Sequence, residues 1–394
     1  MNRRSIDYPL LVVAVILVCF GIVMVFSASF YYAEHSANTE YNGYFFFWRQ
    51  VMGAAIGFAA MVFFTILDFN KLKKMRFWIL GVTLVFMVAV FIPGIGVTRN
   101  SSSRWINLGF MQLQSVEVLK LAIIIFMASG MSINKEKMKQ FKYGMLPYLI
   151  LLLLCALLLY FQPNFSAIVT IAFLMFIMML VGGVNLLHFG AVGVAGIGAG
   201  FIAMVASDYR ASRIFAYLDP WSYAEKESYQ VIQSLYSIGS GGWIGRGIGN
   251  SRQKFLYLPY GESDFIFAII VEELGFVGGI LLLAAFAVLI WRGVRIALRA
   301  PNAFGTLLAT GITVLIAVQV VINVGVVTGL VPPTGVALPL ISAGRTQLIV
   351  FMAMIGILLN ISRQSKAAQK KKQQRDDRQT IRPVRVLKGG GDAA

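Results

Sequence analysis

Four carboxylates stand close together in a chain that has few of them: Glu262, Asp264, Glu272 and Glu273, within LPYGESDFIFAIIVEELGF, which ends at Phe276. The run follows a polar, glycine-rich segment from Tyr229 and crosses Leu258-Pro259 into an apolar stretch that reads as a helix. A helix starting near Glu262 puts Asp264 in its first turn, where the macrodipole favours an acid and Ser263 or Asp264 can serve as cap. Against an apolar wall, such a carboxyl has its pKa raised towards the range useful to a general base. Glu272 and Glu273 follow eight and nine residues on, roughly 12–14 Å deeper along a helix. Charge at that depth requires a partner or a water-filled cavity, and Arg345 on the last apolar span is predicted to supply the cation of a structural ion pair.

Other groups are spaced for chemistry as well. Glu117 and Lys120 are three apart on one helical face, so they either neutralise each other or line the same cavity as Asp264. Arg104, Arg210, Arg213, Arg246, Arg252 and Lys254 are fixed cations suited to an anionic ligand, and arginine forks match phosphate. Trp105 can stack on a sugar or anchor at a membrane interface. The glycines from Gly239 to Gly249 form neither a strict G-x-G-x-x-G nor a Walker motif. Their amides could cradle a pyrophosphate, or the glycines could simply allow a tight turn or a re-entrant backbone. Cys19 and Cys155 each lie in an apolar run, and His35 and His188 lie far apart. Neither pair supports a disulfide framework, a metal site or a histidine-based triad.

The elements that must hold these groups are membrane helices. The chain has 394 residues, of which 58% are hydrophobic and 13% charged, where soluble domains carry about a quarter charged. Its net charge of +17 comes from 34 basic and 17 acidic residues, with the basic ones mainly between apolar runs and in the tail. That placement fits orientation against an anionic leaflet and membrane lipids, not nucleic acid. Ten spans are predicted, near 8–28, 47–67, 77–93, 115–132, 145–161, 165–182, 186–206, 263–291, 304–328 and 337–361. Lys71, Lys73, Lys74 and Arg76 follow the second, Lys135 to Lys142 the fourth, Arg292, Arg295 and Arg299 the eighth, and a basic tail the tenth. The positive-inside rule then puts both termini in the cytoplasm. The expected fold is an all-α polytopic membrane protein with a membrane domain over 1–362 and a large extracytoplasmic loop over 207–261, between helices 7 and 8. Residues 363–394 are expected to be a basic, disordered cytoplasmic tail.

These stretches, in order, resemble the SEDS family of peptidoglycan glycosyltransferases, the FtsW/RodA/SpoVE proteins. IPGIGV with Ser103-Arg104-Trp105-Ile106, QSVEVLK from Gln114, Gln162-Pro163-Asn164, YQVIQSLYSIGSGG, GRGIGNSRQK, LPYGESDFIFAIIVEELGF and LVPPTGVALPLIS all carry the likeness. LDPW at Leu218 to Trp221 leans towards the FtsW/SpoVE branch.

The resemblance implies a bacterial cytoplasmic-membrane enzyme, serving division or sporulation, that polymerises lipid II into glycan strands at the outer face. Asp264 matches the family's essential aspartate and would deprotonate the acceptor sugar's 4-hydroxyl. Arg104, Trp105, Glu117, Lys120, Arg213, Gln233, Ser234, Arg246, Lys254 and Ser342 would contact substrate. A class B penicillin-binding protein transpeptidase is the implied partner, with other division or sporulation membrane proteins. No ligand cluster for a metal is evident, although a divalent cation (Mg or Mn) assisting the diphosphate stays open. The sequence departs from the family pattern at Ser115-Val116, at Asn164, at Gly261-Glu262-Ser263 and, most of all, at Ser342-Ala343-Gly344-Arg345-Thr346-Gln347. A lipid II flippase and a catalytically silent scaffold are the alternatives.

Overall fold

The computed structural model describes residues 6–99, 102–107, 109, 111–205, 212, 215–225 and 228–380. Arg210, Arg213 and residues 381–394 lie outside them. Six helices are long and apolar enough to cross a membrane: α1 (Tyr8–Glu34), α2 (Phe45–Ile66), α4 (Ser115–Ile133), α9 (Ile266–Leu298), α10 (Ala303–Val327) and the apolar part of α11 (Arg345–Thr380). Shorter apolar helices α3 (Arg76–Ala89), α5 (Leu146–Phe161), α6 (Phe165–Val181) and α7 (Leu186–Val205) fall at the other predicted spans. An amphipathic helix, α8 (Tyr229–Gly241), packs on α9.

Burial orders these helices. The first 22 residues of α11 are 89% buried over their most apolar window, and α4 and α10 are 67% buried, so these three form the centre. Small residues let α2 approach α11 closely, as membrane helices require. A Cβ on Gly57 would meet Met352 Sδ at 2.6 Å, and one on Gly356 would lie 2.3 Å from the Met61 carbonyl oxygen. Buried amides pin both ends of this contact. Gln50 Nε2 donates to the Ser342 carbonyl at 3.2 Å, and Asn360 Nδ2 to the Thr65 and Leu67 carbonyls at 2.8 and 2.6 Å. In hydrocarbon such satisfied amides are the tolerable way to bury polarity.

Two features differ from the expected plan. The segment before α4 forms a small antiparallel sheet, β1 (Gly96–Arg99), β2 (Ser102–Asn107) and β3 (Gln112–Gln114), in the order β1-β2-β3. Trp105 pairs with Val97 on one side and Gln114 on the other. At the far end, α11 continues through Thr380, so the opening of the expected tail is helical. Its first residues past 362 are docked: Arg363 donates to the Ile66 carbonyl at 3.1 Å, and Gln364 Nε2 to Asp68 Oδ1 at 2.8 Å. The helix keeps its body contacts just past residue 362 because its polar side chains meet the Ile66 carbonyl and the Asp68 carboxylate there.

α9 is broken. Gly275 has φ 72° and ψ −176° inside it, a conformation L side chains resist. The ladder is completed from outside by the glycine-rich loop. Arg246 and Gly247 amides donate to the Glu272 and Glu273 carbonyls at 3.1 and 2.9 Å. Phe276 and Val277 amides donate to the Gly242 and Trp243 carbonyls at 2.8 and 3.2 Å. The approach admits no Cβ: one on Gly245 would sit 2.2 Å from the Glu273 carbonyl oxygen, and one on Gly275 would sit 2.4 Å from the Gly245 nitrogen. Of the readings open for these glycines, the structure adopts the re-entrant backbone.

Candidate active site

Asp264 precedes α9 instead of lying in its first turn: the helix starts at Ile266, with Phe265 as N-cap and no side-chain cap bond. Pro259 and the positive φ of Tyr260 (57°) hold residues 259–265 in turns. This corrects the predicted helix start near Glu262 and the capping role given to Ser263 or Asp264.

The turn is strapped to the loop between α10 and α11. Ser342 Oγ donates to the Ser263 carbonyl at 2.6 Å and accepts from the Leu338 amide at 2.8 Å. The Ala343 amide donates to the Glu262 carbonyl at 3.0 Å. From α10, Asn323 Nδ2 donates to the Asp264 carbonyl at 2.7 Å and to the Val336 carbonyl at 2.8 Å. The carboxylate itself faces Gly335, where an added Cβ would come within 3.2 Å of Oδ2. Gly335 has φ 71°, and its lack of a side chain leaves the carboxylate room against the loop backbone.

Burial pushes the Asp264 carboxyl up to about 6, with the Arg104 cation opposing the rise. Burial likewise pushes Glu262 up to about 7, and the Asp264 negative charge adds to it, while a hydrogen bond from its own backbone opposes. Arg104 comes from β2. Its Nε donates to the Gln162 carbonyl at 3.3 Å and its fork reaches the Pro163 carbonyl. The sheet is fastened to α11 in turn, since the Gln114 amide donates to Thr346 Oγ1 at 3.1 Å and that hydroxyl donates to the Gln112 carbonyl at 3.2 Å. The α6 end joins too, with Ser166 donating to the Thr334 carbonyl. Asp264, Glu262, Arg104 and Ser342 thus belong to one strapped cluster at one end of the bundle.

The remaining predicted residues divide. Glu117 and Lys120 are buried on the first turns of α4 and pair with each other at 2.7 Å. Trp105 is half-buried in the middle strand, and Gln233 is half-buried on α8. Ser234 is fully buried and donates to the Val327 carbonyl at 2.6 Å. Arg213 lies outside the described residues. Arg246 and Lys254 sit with the deep acids: Lys254 Nζ is 3.3 Å from Glu273, and Arg246 is 3.9 Å from Glu272. These loop cations are ion partners of the two glutamates. Glu272 also accepts from Ser237 Oγ at 3.0 Å, Ser251 Oγ at 2.5 Å and the Arg252 amide at 2.9 Å. Glu273 accepts from Ser27 Oγ on α1 at 2.7 Å. Both are hubs that hold the re-entrant loop against α1, α8 and α9.

Asn323 and Gly335 were missed. A lone amide in the apolar run VVINVGVV was the available signal for Asn323, since polarity inside a span marks a functional or bracing contact. Among the described residues no group of three or more His, Cys, Asp or Glu is placed to hold a metal ion.

Fold and site together define a multi-pass helical membrane protein with a raised-pKa carboxylate cluster at one end of its bundle. Residues 8–367 match the cell cycle protein family FtsW/RodA/SpoVE. The chain belongs to that family. It is 40% identical over 366 residues to "Stage V sporulation protein E" of Bacillus subtilis, covering 93% of this chain and 99% of that one. It is 39% identical over 362 residues to the "Probable peptidoglycan glycosyltransferase FtsW" of Geobacter sulfurreducens, covering 92% and 96%. Among solved structures, a chain of a peptidoglycan synthase complex that coordinates polymerization and crosslinking superposes with TM-score 0.75 at 24% identity, covering 92% of this chain and 98% of that one. The rod shape determining protein RodA of Thermus thermophilus superposes with TM-score 0.68 at 24% identity, covering 93% and 99%.

Proposed function

We propose that this protein is a peptidoglycan glycosyltransferase that polymerises lipid II at the outer face of the bacterial cytoplasmic membrane, with Asp264 as general base. The observation that carries the reading is the strapped, half-buried Asp264 with its carboxyl raised to about 6 beside the Arg104 cation. A base of that strength is mostly ionised at neutral pH and still basic enough to take a proton as the transition state forms. Asp264 removes the proton of the acceptor sugar's 4-hydroxyl. The freed oxygen bonds to the donor's anomeric carbon as the bond from that carbon to the lipid diphosphate breaks. Arg104 is placed to offset the charge growing on the leaving diphosphate, and Trp105 offers a face for a sugar ring. Glu262, raised to about 7, is neutral in about half of the molecules near pH 7, which limits its repulsion of an ionised Asp264.

The same reading takes the six long and four shorter apolar helices as ten spans, with both termini in the cytoplasm and the 207–261 segment outside. The basic residues between spans support that orientation. It takes 1–362 as the catalytic membrane domain and a class B penicillin-binding protein transpeptidase as partner.

The test uses purified protein with its cognate transpeptidase and fluorescent lipid II in detergent, where no transbilayer movement is needed. Wild type should make glycan strands and folded Asp264→Ala should make none. Folded wild type that stays inert there would sink the proposal.

A flippase is the second reading, and the broken α9 favours it, because discontinuous helices are a transporter device. Here, however, the freed backbone groups at the break are filled by the chain's own loop. Wild type that moves lipid II across vesicles while making no strand would favour the flippase.

A further inference from the structure

At the other end of α9 from Asp264, its last turns meet the start of α1 and the end of the buried part of α11. A cavity of ≈ 50 Å³ lies there, lined by Asp7, Arg292, Arg295, Arg299, Ser362, Ser365 and Lys366 among others. One water needs about 10–15 Å³ of such space, so the cavity admits a group of several heavy atoms.

The lining is basic beyond its own needs. Asp7 is already used: it caps α1 through the Leu10 amide at 3.1 Å and takes both forks of Arg292, with Nε at 3.0 Å. Arg295, Arg299 and Lys366 have no carboxylate within ion-pair distance among the described residues. Arg295 lies over the Trp291 ring at 5.0 Å, and Lys366 donates only to the Ile6 carbonyl at 3.0 Å. A second observation also points to a ligand. Ser362 is only 5% exposed, lines the cavity, and has no hydrogen-bond partner among the described residues. That hydroxyl is free to donate to an acceptor held in the cavity.

We propose that this cavity is a binding site for a phosphoryl group, with Arg299, Arg295 and Lys366 as its cations and Ser362 as its neutral donor. Guanidinium forks and a hydroxyl converging on one small space fit a phosphate's several acceptor oxygens. The group comes either from an anionic phospholipid whose tails lie along the outer faces of α1 and α9, or from free inorganic phosphate. Basic pockets between helices at a membrane surface suit such head groups. The site is separate from the polymerase reading and does not rest on it.

The full-length protein in detergent is mixed with phosphatidylglycerol or phosphatidylcholine, and lipid adducts are counted by native mass spectrometry. A parallel arm adds inorganic phosphate alone and follows the melting temperature. Wild type should prefer phosphatidylglycerol, and Arg299→Gln should weaken that preference roughly tenfold, equivalent to about 1.4 kcal/mol. Ser362→Ala, which removes a single oxygen atom, should weaken it by a smaller factor. Phosphate that raises the wild-type melting temperature but not that of Arg299→Gln assigns the site to the free ion. No preference in wild type together with no phosphate shift, or the same preference in wild type and both variants, overturns the proposal.

Discussion

The side-chain amide of Asn323 donates to the backbone carbonyl of Asp264 at 2.7 Å, so a residue inside α10 sets the position of the candidate base. The same nitrogen holds the Val336 carbonyl at 2.8 Å, beside the Gly335 that faces the carboxylate. One amide therefore spaces the base from the wall opposite it. Asn323→Ala leaves two carbonyls without their donor, and an unmade bond of this kind costs about 1–3 kcal/mol. Strand synthesis should fall at least tenfold while the protein stays folded, and kcat should fall more than KM rises. Full activity in that variant would show that Asp264 is positioned without Asn323.

The pH dependence of catalysis follows from Asp264. With its carboxyl raised to about 6, activity should climb with pH through that value and then level off. Arg104 lowers this pKa, so Arg104→Gln should move the midpoint to higher pH as well as slow the reaction. Initial rates of lipid II polymerisation from pH 5 to 8.5 provide the measurement.

Stability should carry the opposite sign from activity. An acid whose folded pKa exceeds its unfolded value stabilises the fold most when protonated. That contribution is complete below 3.8 and is lost as pH rises through about 6. Asp264→Asn should accordingly be inactive yet melt above wild type at pH 8, with the gap closing towards pH 4. Melting temperatures of the two proteins across that range would settle the point.

The glutamate hubs make a different forecast. Removing Glu273 leaves Lys254 buried beside an unfilled site, and breaking one side of a buried pair costs about 3–5 kcal/mol. Glu273→Gln should loosen the 242–258 loop to protease, and adding Lys254→Met should restore part of the protection. Equal protection in wild type and the single variant would contradict the hub role.

Much of this architecture was legible in the residues. Hydropathy located every apolar helix that is described, because twenty consecutive apolar residues leave the chain few other options. The neighbourhood of Asp264, Arg104 and Ser342 was legible through a resemblance spread over several loops. What escaped depends on partners remote in sequence. The break at Gly275 is invisible to a hydropathy window, since Leu274 and Phe276 are apolar on both sides and the compensating amides come from residues 242–247. Depth along separate helices gives no hint of Arg246 and Lys254, which reach the glutamates because the glycine loop folds inward. The sheet at 96–114 reads as an irregular loop because its strands are three to six residues long. The extension of α11 to Thr380 runs through polar residues, whose composition alone reads as a tail.

The fracture in α9 also bears on how the chain is made. Its complement, residues 242–247, lies earlier in the chain and leaves the ribosome before Gly275 does. Two half-rods released singly into lipid would expose naked peptide groups at the join, at several kcal/mol each. Biogenesis is therefore expected to hand over the glycine hairpin and both half-rods as one translocation unit, and a pause between them would be where assembly fails.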